Sequence, residues 1–287
     1  MKINNVEIVD TFAEAWALEV VRLVITAVNE EIALGGANQF VGAAGSSELG
    51  SKINAGIERI ALPQETPDGR PGVIIALTNI PAERTNFLAE IALRLHLATL
   101  IPTCAVFDCM LAGVKKEQFD ISTLLKEKWS GDDWDAEING HKMCVVPTIT
   151  GEYKFEKVIS ISTEGSDGHF VLYARDINAA VLAVGAAKCA LKGVDGVSPM
   201  GFGLEQVYRE KDYVLALKDK IKDSKVPEDT GSILNMLVFG VCTPKMQEAL
   251  TVAIKAACNV PGVVRIGAMN FGGQFGPYKF VLHEMLK

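Results

Sequence analysis

Six cysteines and four histidines are the side chains of this sequence best suited to hold a metal or carry redox and nucleophilic chemistry, and their spacing supports neither. Cys104, Cys109, Cys144, Cys189, Cys242 and Cys258 are scattered through apolar segments, with no Cys-x-x-Cys pair. The histidines, at 96, 141, 169 and 283, are equally dispersed. Metal sites need several such ligands at short, regular spacings, so the cysteines read as small buried hydrophobes and no sequence-local metal site is expected. Other signatures fail on single residues. GFGLEQ at 201–206 lacks the third glycine of a dinucleotide fingerprint, and LGGANQFVGAAG at 34–45 lacks the Lys-Ser/Thr of a phosphate-binding loop. Neither a Gly-x-Ser-x-Gly elbow nor His-Glu-x-x-His occurs. One stretch stands out against its apolar surroundings, PQETPDGRPGV at 63–73. Pro67, Asp68 and Gly69 make a turn by themselves, because proline presets φ, aspartate bonds its own backbone and glycine accepts positive φ. Glu65 and Arg70 are left over, either to clamp that loop as part of an Arg–carboxylate pair or to meet a substrate.

The elements that must position any site alternate short strands with medium helices. VVRLVITA (20–27) and GVIIALTN (72–79) are buried-strand runs, each followed by a helix. In the second helix Phe87, Leu88, Ile91 and Leu95 form one apolar stripe, with Pro81 suited to its first turn. The chain returns to strand near 101–107. The second half repeats the rhythm: a strand at 157–162, a turn TEGSDG, a strand at 169–174, and a helix over 177–191 with Ile177, Val181, Val184 and Leu191 inward. A strand at 234–241 then precedes a helix capped by Thr243 and Pro244, whose inner face is Met246, Leu250, Ile254 and Ala257. This pattern predicts an α+β fold: two ferredoxin-like α+β sandwich lobes with largely antiparallel sheets. The acidic, turn-rich segment at 130–142 places the boundary so that the lobes are 1–147 and 148–287. The charged stretch 209–231 is expected to be a solvated helix and loop.

Composition sets the class. Of 287 residues 49% are hydrophobic, enough for well-filled cores, and the net charge is −7. That balance argues against a nucleic-acid or anionic-membrane surface. No apolar run approaches the length of a membrane span and the first residues lack a signal-like apolar core, so the expected setting is cytoplasmic.

INNVEIVDTFAEAW (3–16), NAGIERIALPQETPDGRPGV (54–73), PTCAVF (102–107) and AACNVPGVVRIGAMNFGGQFGPYKFVLHEML (256–286) together resemble the formylmethanofuran:tetrahydromethanopterin formyltransferases. The resemblance spans nearly the whole chain with its motifs in order. It implies formyl transfer from the amine of formylmethanofuran to N5 of tetrahydromethanopterin, with both as substrates, no tightly bound cofactor, no metal, and a homo-oligomer (dimer or tetramer). An amine attacking a formamide passes through a tetrahedral oxyanion, so the site needs donors aimed at that oxygen and a group that moves protons between two nitrogens. The resemblance places the family's catalytic glutamate at Asn235, whose amide can donate to an oxyanion but cannot shuttle a proton. Asn54 falls where the family has another glutamate. In the retained motifs Glu14, Thr103 and Asn270 are the remaining candidates for substrate binding, with Glu14 or a water in the proton role. Structural alternatives stand beside each: a strand-end residue for Asn235, a solvated helix charge for Glu14, turn or cap roles for Thr103 and Asn270. Two readings follow, a working formyltransferase using Asn235, or a catalytically impaired paralogue serving as a binding or regulatory subunit.

Overall fold

The computed structural model describes residues 1–44, 50–98, 100–125, 132–200 and 211–287. In chain order its elements are β1 (Lys2–Ile3), β2 (Val6–Ile8), β3 (Phe12–Ala15), β4 (Ala17–Thr26), α1 (Glu30–Val41), β5 (Asn54–Ala61), β6 (Gly72–Asn79), α2 (Arg84–Ala98), β7 (Ala105–Asp108), β8 (Lys116–Asp120), β9 (Trp134–Ile138), β10 (His141–Thr148) and β11 (Gly151–Glu156). There follow β12 (Val158–Ala174), α3 (Ile177–Leu191), β13 (Val197–Pro199), β14 (Ser232–Gly240), α4 (Thr243–Ala257), β15 (Val263–Gly267), β16 (Tyr278–Val281) and α5 (Leu282–Met285).

Two compact units divide the chain, and neither is a continuous half. A middle unit comprises Leu18–Gly165 and Gly240–Cys242; a terminal unit comprises Met1–Ala17, Ser166–Phe239 and Thr243–Lys287. The units thus interleave along the chain. The segment at 130–142 contributes β9 and the start of β10 to the middle unit, where β10 pairs with β9 and β11, and β11 runs parallel to β7. The first residues meanwhile join the terminal unit, where β2 lies parallel to β15. Strand pairing between distant segments overrides the local composition that marks a linker.

Each unit is built on the same β-α-β-β-α-β motif. In the middle unit β4, α1, β5, β6, α2 and β7 give the strand order β7-β4-β6-β5, all neighbours antiparallel. In the terminal unit β12, α3, β13, β14, α4 and β15 give the equivalent order β15-β12-β14-β13. The α+β class and the ferredoxin-like lobes expected from the element pattern are present. In the middle unit Val21, Leu23 and Ile25 of β4 face Phe40, Phe87, Ile91 and Leu95 of the helices. In the terminal unit Phe170 and Leu172 of β12 and Leu234, Met236 and Val238 of β14 share a core with Met246, Leu250 and Ile254. Because side chains alternate along a strand, every intervening residue lies on the other face, which is where the polar chemistry collects.

Three local expectations change. The strand, turn and strand expected over 157–174 are one continuous strand, β12. Gly165 serves close approach there: a Cβ would lie 2.5 Å from a Val20 methyl and 2.9 Å from the Leu18 carbonyl oxygen. In α3, Val184 and Leu191 are buried, but Ile177 and Val181 are exposed. The Asp176 cap sets the phase of the helix, and Ala179, Ala180, Ala183 and Ala187 face the core. The described part of 209–231 holds short 3-10 turns at Lys211–Tyr213 and Leu215–Leu217, with no α-helix. The GFGLEQ stretch lies outside the described residues.

The face of the middle unit opposite its helices contains a buried ion pair. Arg22 donates through Nε to Glu58 Oε2 (2.8 Å), through Nη2 to Oε1 (2.7 Å) and through Nη1 to the Cys109 carbonyl (2.6 Å). Both charged residues are buried, so removing one strands the other's charge away from water. Glu58→Ala is expected to lower unfolding free energy by about 3–5 kcal/mol, checked by urea titration; a loss below about 1 kcal/mol contradicts the assignment.

Candidate active site

Glu14 sits on β3, a short strand paired with β16, and is buried. Four backbone N–H groups of the loop that leads into β16 converge on its carboxylate. Phe271 and Gly273 donate to Oε2 at 2.7 and 2.9 Å, and Phe275 and Gly276 donate to Oε1 at 2.6 and 2.7 Å. Gly272 and Gly273, both at φ +71°, supply the left-handed backbone that lets alternate N–H groups point inward, a conformation cheap for glycine alone. At 276 a Cβ would collide with the Ala15 carbonyl. Burial pushes the Glu14 pKa upward, but the four donors outweigh it and bring it from 4.5 to about 2. The sequence expectation of a solvated helical glutamate is thus corrected. A carboxylate held so acidic and fully occupied by backbone is also mismatched to a proton-shuttling role near neutral pH.

Asn270 opens the same loop. Its Nδ2 donates to the Thr11 hydroxyl (3.0 Å) and the Phe12 carbonyl (3.2 Å), and its Oδ1 accepts from Gly272 N–H (3.2 Å). It also lines a cleft of about 270 Å³ in the terminal unit, with Thr11, Tyr173, Tyr213, Ile233 and Met269 among the other walls. Asn235 stands two residues beyond Ile233 on the same side of β14, opposite the helix-facing Leu234 and Met236. It is buried, and its Oδ1 has no hydrogen-bond partner among the described residues. Buried amide oxygens are ordinarily satisfied, so this one stands out. On β12 the buried His169 places Nε2 3.0 Å from both the nitrogen and the oxygen of Met269. Desolvation takes its pKa down to about 4, against the pull of the Met269 backbone, so the ring is neutral at physiological pH.

Asn54 and Thr103 belong to the middle unit. Asn54 is buried at the start of β5, opposite Thr78 of β6. Thr103 adopts φ +71°, costly for a β-branched residue, and is held there from two sides. Its hydroxyl accepts from Val28 N–H at 3.3 Å and its carbonyl from Arg70 Nη1 at 2.7 Å. Arg70 also reaches Asp68 Oδ2 (2.8 Å) and the Thr26 hydroxyl (3.0 Å). Glu65 instead pairs with Arg59 (2.9 Å) and accepts from Leu62 N–H (2.8 Å). The PDGR stretch is a clamp that ties its own turn to β4 and to the Thr103 corner. The cysteines divide: Cys104, Cys144 and Cys258 are buried, with desolvation raising their pKa to about 11, 12 and 12, while Cys189 is exposed. No helix among the described residues is long and apolar enough to cross a membrane.

Sequence reasoning missed His169 and the exposed Phe271 and Phe275. The signal for the phenylalanines was the glycine spacing around them, which marks a loop whose backbone is dictated and whose side chains are therefore aimed.

Two ferredoxin-like units, the terminal one carrying a cleft in which Thr11, Tyr173, Tyr213 and Asn270 stand among aliphatic side chains, define a two-lobed α+β protein. The sequence model described as formylmethanofuran-tetrahydromethanopterin formyltransferase matches residues 1–148, and that of its proximal lobe matches 206–285. The chain belongs to this family. It is 34% identical to the formylmethanofuran–tetrahydromethanopterin formyltransferase of Methanothermus fervidus, over 99% of this chain and 100% of that one. The enzyme of the same name from Methanothermobacter thermautotrophicus is also 34% identical, with the same coverage. The solved structure of the Methanosarcina barkeri enzyme superposes with a TM-score of 0.90, at 31% identity over 99% of this chain and 100% of that one. A formyltransferase/hydrolase complex from Methylorubrum extorquens, solved with methylofuran, shares the fold at TM-score 0.86 and 22% identity, over 100% of this chain and 99% of that one.

Because the folded-state pKa of Glu14 lies below its unfolded value, its stabilising effect is complete above pH 4.5 and is lost as pH falls through about 2. Acid titration of stability is therefore expected to show a loss in that window that Glu14→Gln lacks. Parallel curves for the two proteins across it would refute the four-donor description.

Proposed function

We propose that this chain transfers the formyl group of formylmethanofuran to N5 of tetrahydromethanopterin, in the cytoplasm. The observation that carries the reading is the end-to-end match to enzymes of that name, in sequence and in fold alike; a binding or regulatory paralogue has no observation of its own in its favour. Chemically, the acceptor amine adds to the formyl carbon, forming a C–N bond as the carbonyl π electrons move to oxygen. The tetrahedral oxyanion then collapses, breaking the C–N bond to the donor, whose departing nitrogen takes up a proton while the acceptor nitrogen gives one up.

Asn235 fits this sequence in a defined way. An amide placed at the reacting centre offers one donor group to the oxyanion and one acceptor oxygen to an N–H, and the unpartnered buried Oδ1 supports that use. It cannot take the proton, so in this reading proton exchange passes through water. In the terminal unit Asn270 accompanies Asn235, acting mainly by fixing backbone around a ligand; in the middle unit Asn54 and Thr103 are proposed to bind substrate, Thr103 by holding its own corner of backbone. Several copies of the chain assemble in this reading, supported by the apolar outer side of α3, where Ile177, Val181 and Leu182 are exposed.

The test is steady-state transfer by the purified protein with both substrates. Turnover is expected, with Asn235→Ala lowering kcat by about 10²–10³, as for loss of one oxyanion donor. Asn235→Glu is expected to match or exceed the unaltered protein by restoring acid–base help. No turnover by any of the three forms would overturn the reading.

A further inference from the structure

Two phenylalanines of the Glu14-bound loop point into water. Phe271 and Phe275 are 54% and 62% exposed, and their rings meet edge to face, 88° apart in plane with centroids 5.5 Å apart. Exposed single apolar residues are ordinary, but this pair differs in how it is held. The N–H groups of both residues donate to the buried Glu14 carboxylate, so each ring is carried on backbone anchored to a buried charge. The residue before the first ring, Asn270, is simultaneously a wall of the neighbouring cleft that holds Tyr173 and Tyr213. A rigid aromatic corner beside a partly polar cleft is pre-organised for a flat ring: stacking requires little further ordering of the protein.

We infer that Phe271 and Phe275 form a stacking ledge for the bicyclic pterin ring of the acceptor, and that Glu14 is the positioning residue that sets the ledge. The inference rests on the proposed formyl transfer. Of the two substrates the acceptor is favoured on size. A fused bicycle extends past a single phenyl ring and can contact both members of a perpendicular pair, whereas a lone five-membered furan covers one. Asn270, next in sequence to Phe271, lines the cleft together with Thr11 and Tyr173, polar groups of the kind that read the edge of a heterocycle.

The test combines Phe271→Leu/Phe275→Leu with a double tyrosine variant, since both positions are exposed and neither change threatens the core. KM for tetrahydromethanopterin is expected to rise about ten-fold or more in the leucine form, the scale of a lost aromatic stack, and to stay within about three-fold in the tyrosine form. KM for formylmethanofuran and kcat should hold within about two-fold. Glu14→Gln should raise the same acceptor constant. An unchanged acceptor KM in the leucine form, or an equal rise for both substrates, overturns the ledge while leaving formyl transfer intact. Calorimetric titration with tetrahydromethanopterin alone decides the ledge if the unaltered protein shows no turnover: at least ten-fold tighter binding than the leucine form supports it, and equal or absent binding refutes it.

Discussion

A carboxylate that accepts four backbone N–H groups acts as the centre of a small fold within the fold. Glu14 supplies the only charge among five interacting groups, and the loop 270–276 takes its shape by surrounding that charge. Each of the four donors would otherwise need water or another acceptor. Because they converge on a side chain that belongs to β3, the loop is fixed relative to the strand that pairs with β16. Asn270 braces the loop entry against Thr11 and Phe12, so both of its ends are tied to the same stretch of chain. The Asn270 side of the cleft, the backbone that carries the exposed rings and the low pKa of Glu14 all follow from this one arrangement.

The two units solve the same packing problem with the same motif and differ in what they put on the sheet face away from the helices. In the middle unit that face carries Arg22 and Glu58, whose full mutual pairing keeps two buried charges satisfied. In the terminal unit that face carries no buried ion pair among the described residues: it holds the neutral His169, Asn235 and Tyr173, beside a more exposed Arg265–Glu7 pair. A buried ion pair is costly to assemble and costlier to break, which suits a scaffold. The unpartnered oxygen of Asn235 suits a site, because a substrate can complete what the described residues leave open.

Much of the architecture was legible from residue order. GVIIALTN forms a strand with the expected limits, and the stripes in α2 and α4 face their cores, because runs of apolar residues at strand or helical period leave few alternatives. What was not legible depended on distant partners. The TEGSDG stretch reads as a turn by composition, yet becomes strand because Gly165 is needed where another strand's backbone comes close. The interleaving of the two units was hidden because β2 and β11 find their neighbours far away in sequence. Glu14 was singled out through the resemblance, but its work was invisible, since nothing local says that four N–H groups from residues 271–276 will find it. Asn235 was located by alignment to the motifs that follow it; its unpartnered oxygen is knowable only from the packed strand.

The central claim, that this site moves a formyl group between two amines, is tested most directly by following the carbon itself. Formylmethanofuran carrying a ¹³C-labelled formyl group, mixed with the protein and tetrahydromethanopterin, should show by NMR the donor formamide signal giving way to an N5-formyl signal on the pterin. Label that stays on the donor, or that leaves as free formate, would contradict the account.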